Sequence, residues 1–136
     1  MLPLRYAGRW RIAGIAVLIV VLIAALSPAI WFMPEMRDAG FFLSDKWLHG
    51  ITFAFMTVWF SGQFARHAYW RLALGMLAFG GLIEVCQHFL EYRRAESLDL
   101  VADVIGIVVG LAIAFVGAGG WSLRVENWLQ PQSSQH

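Results

Sequence analysis

Four long apolar runs, at residues 12–33, 47–64, 72–90 and 98–120, constrain this chain more than any other feature. A helix crossing a hydrocarbon core of ~30 Å needs about 20 mainly apolar residues, with a usable range of ~17–25. Each run meets that length, and the second, being the shortest, is expected to stand upright. The runs are continuous rather than alternating in polarity, so they read as helices, and four strands could not close a barrel. The connectors at 34–46, 62–71 and 91–97 have ordinary loop lengths, not those of interdomain linkers. The expected fold is an all-α integral membrane protein, one up-and-down four-helix transmembrane bundle filling residues 1–136 as a single domain.

Composition agrees. With 60% hydrophobic and 14% charged residues and a mean hydropathy of +0.65, an ordinary soluble domain is excluded. Ten basic against nine acidic residues leave a formal charge of +1, which argues against a nucleic-acid partner or a charged tail. Cys86 is the single cysteine, so there is no internal disulfide. Seven Trp and ten Phe suit membrane interfaces better than one small aqueous core.

Basic residues set the expected orientation. Arg5, Arg9, Arg11, Arg66, Arg71 and Arg124 fall on the side of the termini, and Arg37, Lys46, Arg93 and Arg94 on the other. The three arginines ahead of the first run dominate such a balance and place both termini in the cytoplasm. Trp10, Trp70 and Trp121 then belong to the inner interface, Trp31 and Trp47 to the outer one. A cleavable signal peptide is the competing reading of the first run, given Ala24, Ala25 and Ser27, but that run exceeds the ~7–15 residues of a signal core. Pro28 is expected to loosen the end of the first helix and Pro34 to stop it.

Polar residues interrupt the runs at one end only. Asp45, Lys46 and His49 open the second run, Glu84, Gln87 and His88 close the third, and Asp99 and Asp103 open the fourth. Asp45 and His49, Glu84 and His88, and Asp99 and Asp103 are each four residues apart, so each pair shares a helical face. At 1.5 Å per residue Glu84 lies ~9 Å inside the third helix and Asp103 ~7.5 Å inside the fourth, so they are expected to meet at similar depth. An ionisable side chain facing lipid costs several kcal/mol, which favours a protein-lined pocket. Asp45, Glu84, Asp99 and Asp103 supply four negative charges and Lys46, Arg93 and Arg94 three positive ones, a balance that a protonated His49 or His88 completes. Lys46, expected in the first turn of its helix, needs an anion against the dipole there. Arg93 and Arg94 suit a phosphate or carboxylate at the surface.

Each group also has a structural reading. Asp45 and Ser97 read equally as N-caps, Asp99 as a first-turn acid, Arg93 and Arg94 as interfacial anchors, and Glu84 and Asp103 as interhelical hydrogen-bond glue. His88 reads as a solvated histidine and Cys86, pointing away from Glu84, as packing. Gly80, Gly81, Gly106 and Gly110 let helices approach closely.

Read in order, Asp45-Lys46-x-x-His49, Glu84-x-x-Gln87, Arg93, Asp99 and Gly106-x-x-x-Gly110 resemble the VanZ-like membrane proteins, over about residues 44–110. Asp103 departs from the pattern, standing where many members carry Asn. The resemblance implies a bacterial inner-membrane protein of the cell envelope, in a family whose founding member is linked to teicoplanin resistance. It supplies a context rather than a reaction.

Two functions compete. In the first, an outer-leaflet site binds or modifies an anionic lipid or cell-wall precursor. Glu84, His49 and Asp99 act as acid and base groups, and Asp45, Lys46, Gln87, Arg93, Arg94 and Asp103 hold the substrate. In the second, the same residues shape a non-enzymatic lipid- or partner-binding component. A small proton-coupled transporter fits less well, because the first run carries no carboxylate and the polar groups avoid the midplane. No cofactor is expected, and no metal, since the spacings match no metal motif and nearby Lys and Arg oppose a cation.

Overall fold

The computed structural model describes residues 1–27, 41–90 and 97–130, with side chains from Lys46 onward in the second segment. Among these all the regular structure is helical: α1 (Ala7–Leu26), α2 (Phe41–Ser61), a 3-10 turn (Arg66–Ala68), α3 (Tyr69–His88), α4 (Ser97–Ile113), a π turn (Ala114–Ala118) and α5 (Trp121–Leu129). No strand occurs among the described residues. Three stretches are long and apolar enough to cross a membrane: Ala7–Leu26, Arg66–His88 and Ser97–Leu129. The last, at 33 residues, would span ~50 Å as one rod, but it is broken. Gly117 departs from helical geometry inside the π turn, and Gly120, the residue before α5, takes a left-handed conformation at φ 71°.

Helix limits differ from expectation where polar chemistry intervenes. The second helix ends at Ser61, not at residue 64, because the N–H groups of Gly62 and Gln63 turn back to the carbonyls of Trp59 and Phe60. It starts at Phe41, so Lys46 lies more than a turn inside it. The expectation that Lys46 sits in the first turn is therefore corrected, and with it the dipole reason for placing an anion beside it. Asp45 likewise falls within α2 and is not its N-cap.

Small residues decide the packing. Gly106 and Gly110 of α4 press on α2: a Cβ on Gly106 would overlap the Gly50 carbonyl, and one on Gly110 would lie 2.6 Å from Thr57 Cβ and 2.8 Å from the Ala54 oxygen. Gly50 faces Ala102, Ala54 faces Gly106 and Gly110, and Thr57 faces Gly110, so α2 and α4 lie side by side in the same direction. This is the most extensive helix pairing among the described residues. It follows the small-xxx-small logic by which helix backbones approach closely.

Phe53 and Met56 of α2, Leu72, Met76 and Ile83 of α3 and Ile107 of α4 form the buried core, against which Val17, Leu18, Val21 and Leu22 of α1 pack. The outward faces are apolar on all four long helices, for example Ile12, Ile51, Leu82 and Ile105, whereas Thr57, Ser61, Gln63, Gln87, Asp99 and Asp103 are buried. An apolar core that also encloses polar side chains, under an outer surface that is itself apolar, departs from the arrangement of a protein in water.

Candidate functional site

The glycine seam sets the geometry of the site. Gly50 follows His49 directly, and Gly106 lies three residues, about one turn, after Asp103 on the buried face of α4 that also holds Asp99, Ile107 and Gly110. With the two backbones this close, His49 Nδ1 reaches Asp103 Oδ1 at 3.0 Å. The aspartate side chain is 2% exposed and the imidazole 10%. On the third side stands Gly80 of α3, where a Cβ would come within 2.9 Å of Asp103 Oδ2 and 3.3 Å of the Phe53 ring. Three helices thus meet around one carboxylate, and a glycine is needed to admit it.

This contact has chemical content. When the carboxylate is ionised, Nδ1 donates the hydrogen bond, and Asp103 fixes both the ring orientation and the tautomer that makes Nε2 the proton acceptor. A protonated imidazole in the same place forms an ion pair, so the pair can hold or yield a proton with little movement of heavy atoms.

The other expected residues fall into three sets. Lys46 and Glu84 are half-buried and Asp99 is buried, and each of the three is engaged with other groups. Gln87, 1% exposed, donates from Nε2 to the Ala25 carbonyl at 3.0 Å. That carbonyl is in the last turn of α1, where backbone acceptors lack intrahelical partners, so Gln87 ties the end of α1 to α3. The Asp45 side chain, Arg93 and Arg94 lie outside the described residues. The carboxylate of Asp103 lies against Gly80, one turn before Glu84 along α3. His88 is exposed at the end of α3, and Cys86 is a free, partly exposed thiol. Among the described residues no group of three His, Cys, Asp or Glu is arranged to hold a metal ion.

A second buried carboxylate, at the opposite end of α1, was not anticipated. Glu126 of α5 accepts from the backbone N–H of Arg5 at 2.8 Å, that of Tyr6 at 3.0 Å and Trp10 Nε1 at 2.8 Å. Trp10 stacks edge-on against Trp121 at 5.2 Å and Trp59 at 6.3 Å, and Trp121 Nε1 reaches the Val58 and Trp59 carbonyls at 3.1 Å each. The available signal was a lone acid in Trp121-Ser122-Leu123-Arg124-Val125-Glu126, a segment with helical spacing after the last apolar run. Trp10 and Trp121, expected on one interface, do lie together here, while Trp70 is exposed beside the Arg71 guanidinium.

No family model matches the chain, and no curated protein or solved structure shows detectable similarity to it.

Proposed function

We propose that this chain is a VanZ-like protein of the bacterial inner membrane. In this reading it is an up-and-down bundle with both termini in the cytoplasm, and a polar pocket at its outer end binds or modifies an anionic lipid or a cell-wall precursor. The observation that carries this reading is the buried His49–Asp103 pair, 3.0 Å across, inside a molecule whose outer faces are apolar. A titratable pair is expensive to keep away from water and suits a site that handles protons or charge. His49 exchanges the proton with Asp103 orienting it, Glu84 and Asp99 supply further acid and base groups, and Lys46 with Arg93 and Arg94 holds the phosphate or carboxylate. The family's link to teicoplanin makes glycopeptide susceptibility the phenotype to follow.

A non-enzymatic lipid- or partner-binding role is the second reading. It is favoured by Gln87, whose amide is spent on joining α3 to α1. The two separate on Glu84→Gln and His49→Gln variants that still fold and reach the membrane. Lipid mass spectrometry of a deletion strain carrying each variant should show the envelope-lipid change of the wild type lost under the first reading. Under the second, purified wild-type protein turns over no envelope lipid, and the variants alter binding alone. Wild-type lipid profiles, binding and glycopeptide susceptibility in both variants would contradict the site itself.

A further inference from the structure

We propose that a groove between the N-terminal turns of α1 and helix α5 binds the headgroup of an anionic phospholipid, a site separate from the His49–Asp103 pocket. The groove has a volume of about 460 Å³ and is open to the outside. Its rim is cationic. The guanidinium groups of Arg5 and Arg9 lie over the Tyr6 ring at 5.7 and 5.0 Å from its centre, and both side chains are exposed. The acid in its wall, Glu126, is turned toward α1, both oxygens accepting N–H groups from Arg5, Tyr6 and Trp10. Two arginines against one carboxylate leave the lining with an excess positive charge.

Beyond the rim the lining turns apolar, through Trp10, Ala13 and the exposed Leu129. The same helical face of α1 continues past Ala13 through the exposed Ala16, Val20 and Ile23. A cationic mouth that opens onto a hydrocarbon-facing helix is complementary to a phosphate carrying acyl chains. A free anion would leave the apolar part unused, and an acidic peptide would have to cross the apolar face of α1. Arginine pairs with phosphate oxygens through two parallel N–H bonds.

The proposal rests on the membrane reading above, and the test keeps the two apart. Alkaline extraction of cell membranes comes first: a chain released with peripheral proteins overturns the membrane reading and this proposal with it. Detergent-purified full-length protein is then offered phosphatidylglycerol or phosphatidylcholine with identical acyl chains, and native mass spectrometry counts the lipid retained. One phosphatidylglycerol per chain should be kept in preference by about fivefold or more, the effect of one arginine near a lipid surface. The double variant Arg5→Gln/Arg9→Gln should reduce the preference to near unity. Arg66→Gln/Arg71→Gln, which removes two exposed arginines outside the groove, should keep it. Glu126 holds the Arg5 backbone, not its side chain, so the Arg5 variant retains that bond, and an unchanged thermal midpoint verifies the fold. An integral protein that shows no preference, a preference that survives in the groove variant, or an equal loss in the control pair overturns the proposal. So does displacement of the lipid by inorganic phosphate, which would make the groove a site for free anions.

Discussion

Two buried carboxylates, Asp103 and Glu126, show what the same functional group does under different partners. Asp103 meets another titratable side chain across a helix seam, at 3.0 Å from His49. Glu126 meets three N–H groups at the start of α1, none of which changes charge near neutral pH. The first arrangement can exchange a proton or release a charge, whereas the second can only hold α1 against α5. Burial alone therefore does not decide what an acid can do; the chemistry of its partner does.

The largest effect is expected where the seam that creates the first pair is opened. Gly106→Leu drives a side chain into the Gly50 carbonyl and should lower stability by about 3 kcal/mol, the upper range for overpacking. A fall in the detergent thermal midpoint, or loss of folded protein on size exclusion, checks it. An unshifted midpoint would mean that the backbones do not approach as described.

Glu126→Ala should come next, leaving the Arg5 and Tyr6 N–H groups and the Trp10 indole without their acceptor. A lower thermal midpoint is expected, partly restored in Glu126→Gln, whose carbonyl oxygen still accepts. Lipid profiles and glycopeptide susceptibility, compared at equal amounts of folded protein, should stay at wild-type values. A phenotype matching that of His49→Gln would erase the distinction between the two ends.

The smallest effect belongs to Gln87→Ala, which removes one hydrogen bond to the Ala25 carbonyl. A cost of about 1 kcal/mol is expected. Hydrogen exchange should show the gain in mobility confined to the last turn of α1, and a change spread across α4 would argue for a different role.

How much of this was legible before the structure differs by element. Apolar runs long enough for a bilayer are conspicuous in any chain, and three of the four emerge as helices of the required length and character among the described residues. Helix starts made of mixed residues are not conspicuous. α2 begins at Phe41, ahead of Asp45 and Lys46, where hydropathy has no sharp edge. Gly106 and Gly110 announced a close approach but not its partner, because Gly50 and Ala54 are recognised only once α2 and α4 lie in register. Asp103 and His49 were both visible as polar interruptions of apolar runs. Their pairing was not, since depth arithmetic alone does not say which helices lie side by side, and the His49–Asp103 contact follows from the close approach of α2 and α4. Glu126 escaped because two of its three partners are backbone N–H groups, which any residue carries and no sequence pattern advertises.

The central claim is that His49 and Asp103 interact directly between α2 and α4, and a double-mutant cycle tests it most directly. Thermal or denaturant unfolding in detergent of wild type, His49→Ala, Asp103→Ala and the double variant should give a coupling free energy of about 1–3 kcal/mol, the range for contacting residues in one hydrogen-bonded pair. Strictly additive effects, with coupling below about 0.3 kcal/mol, would mean that the two side chains do not act together and would contradict the site built on them.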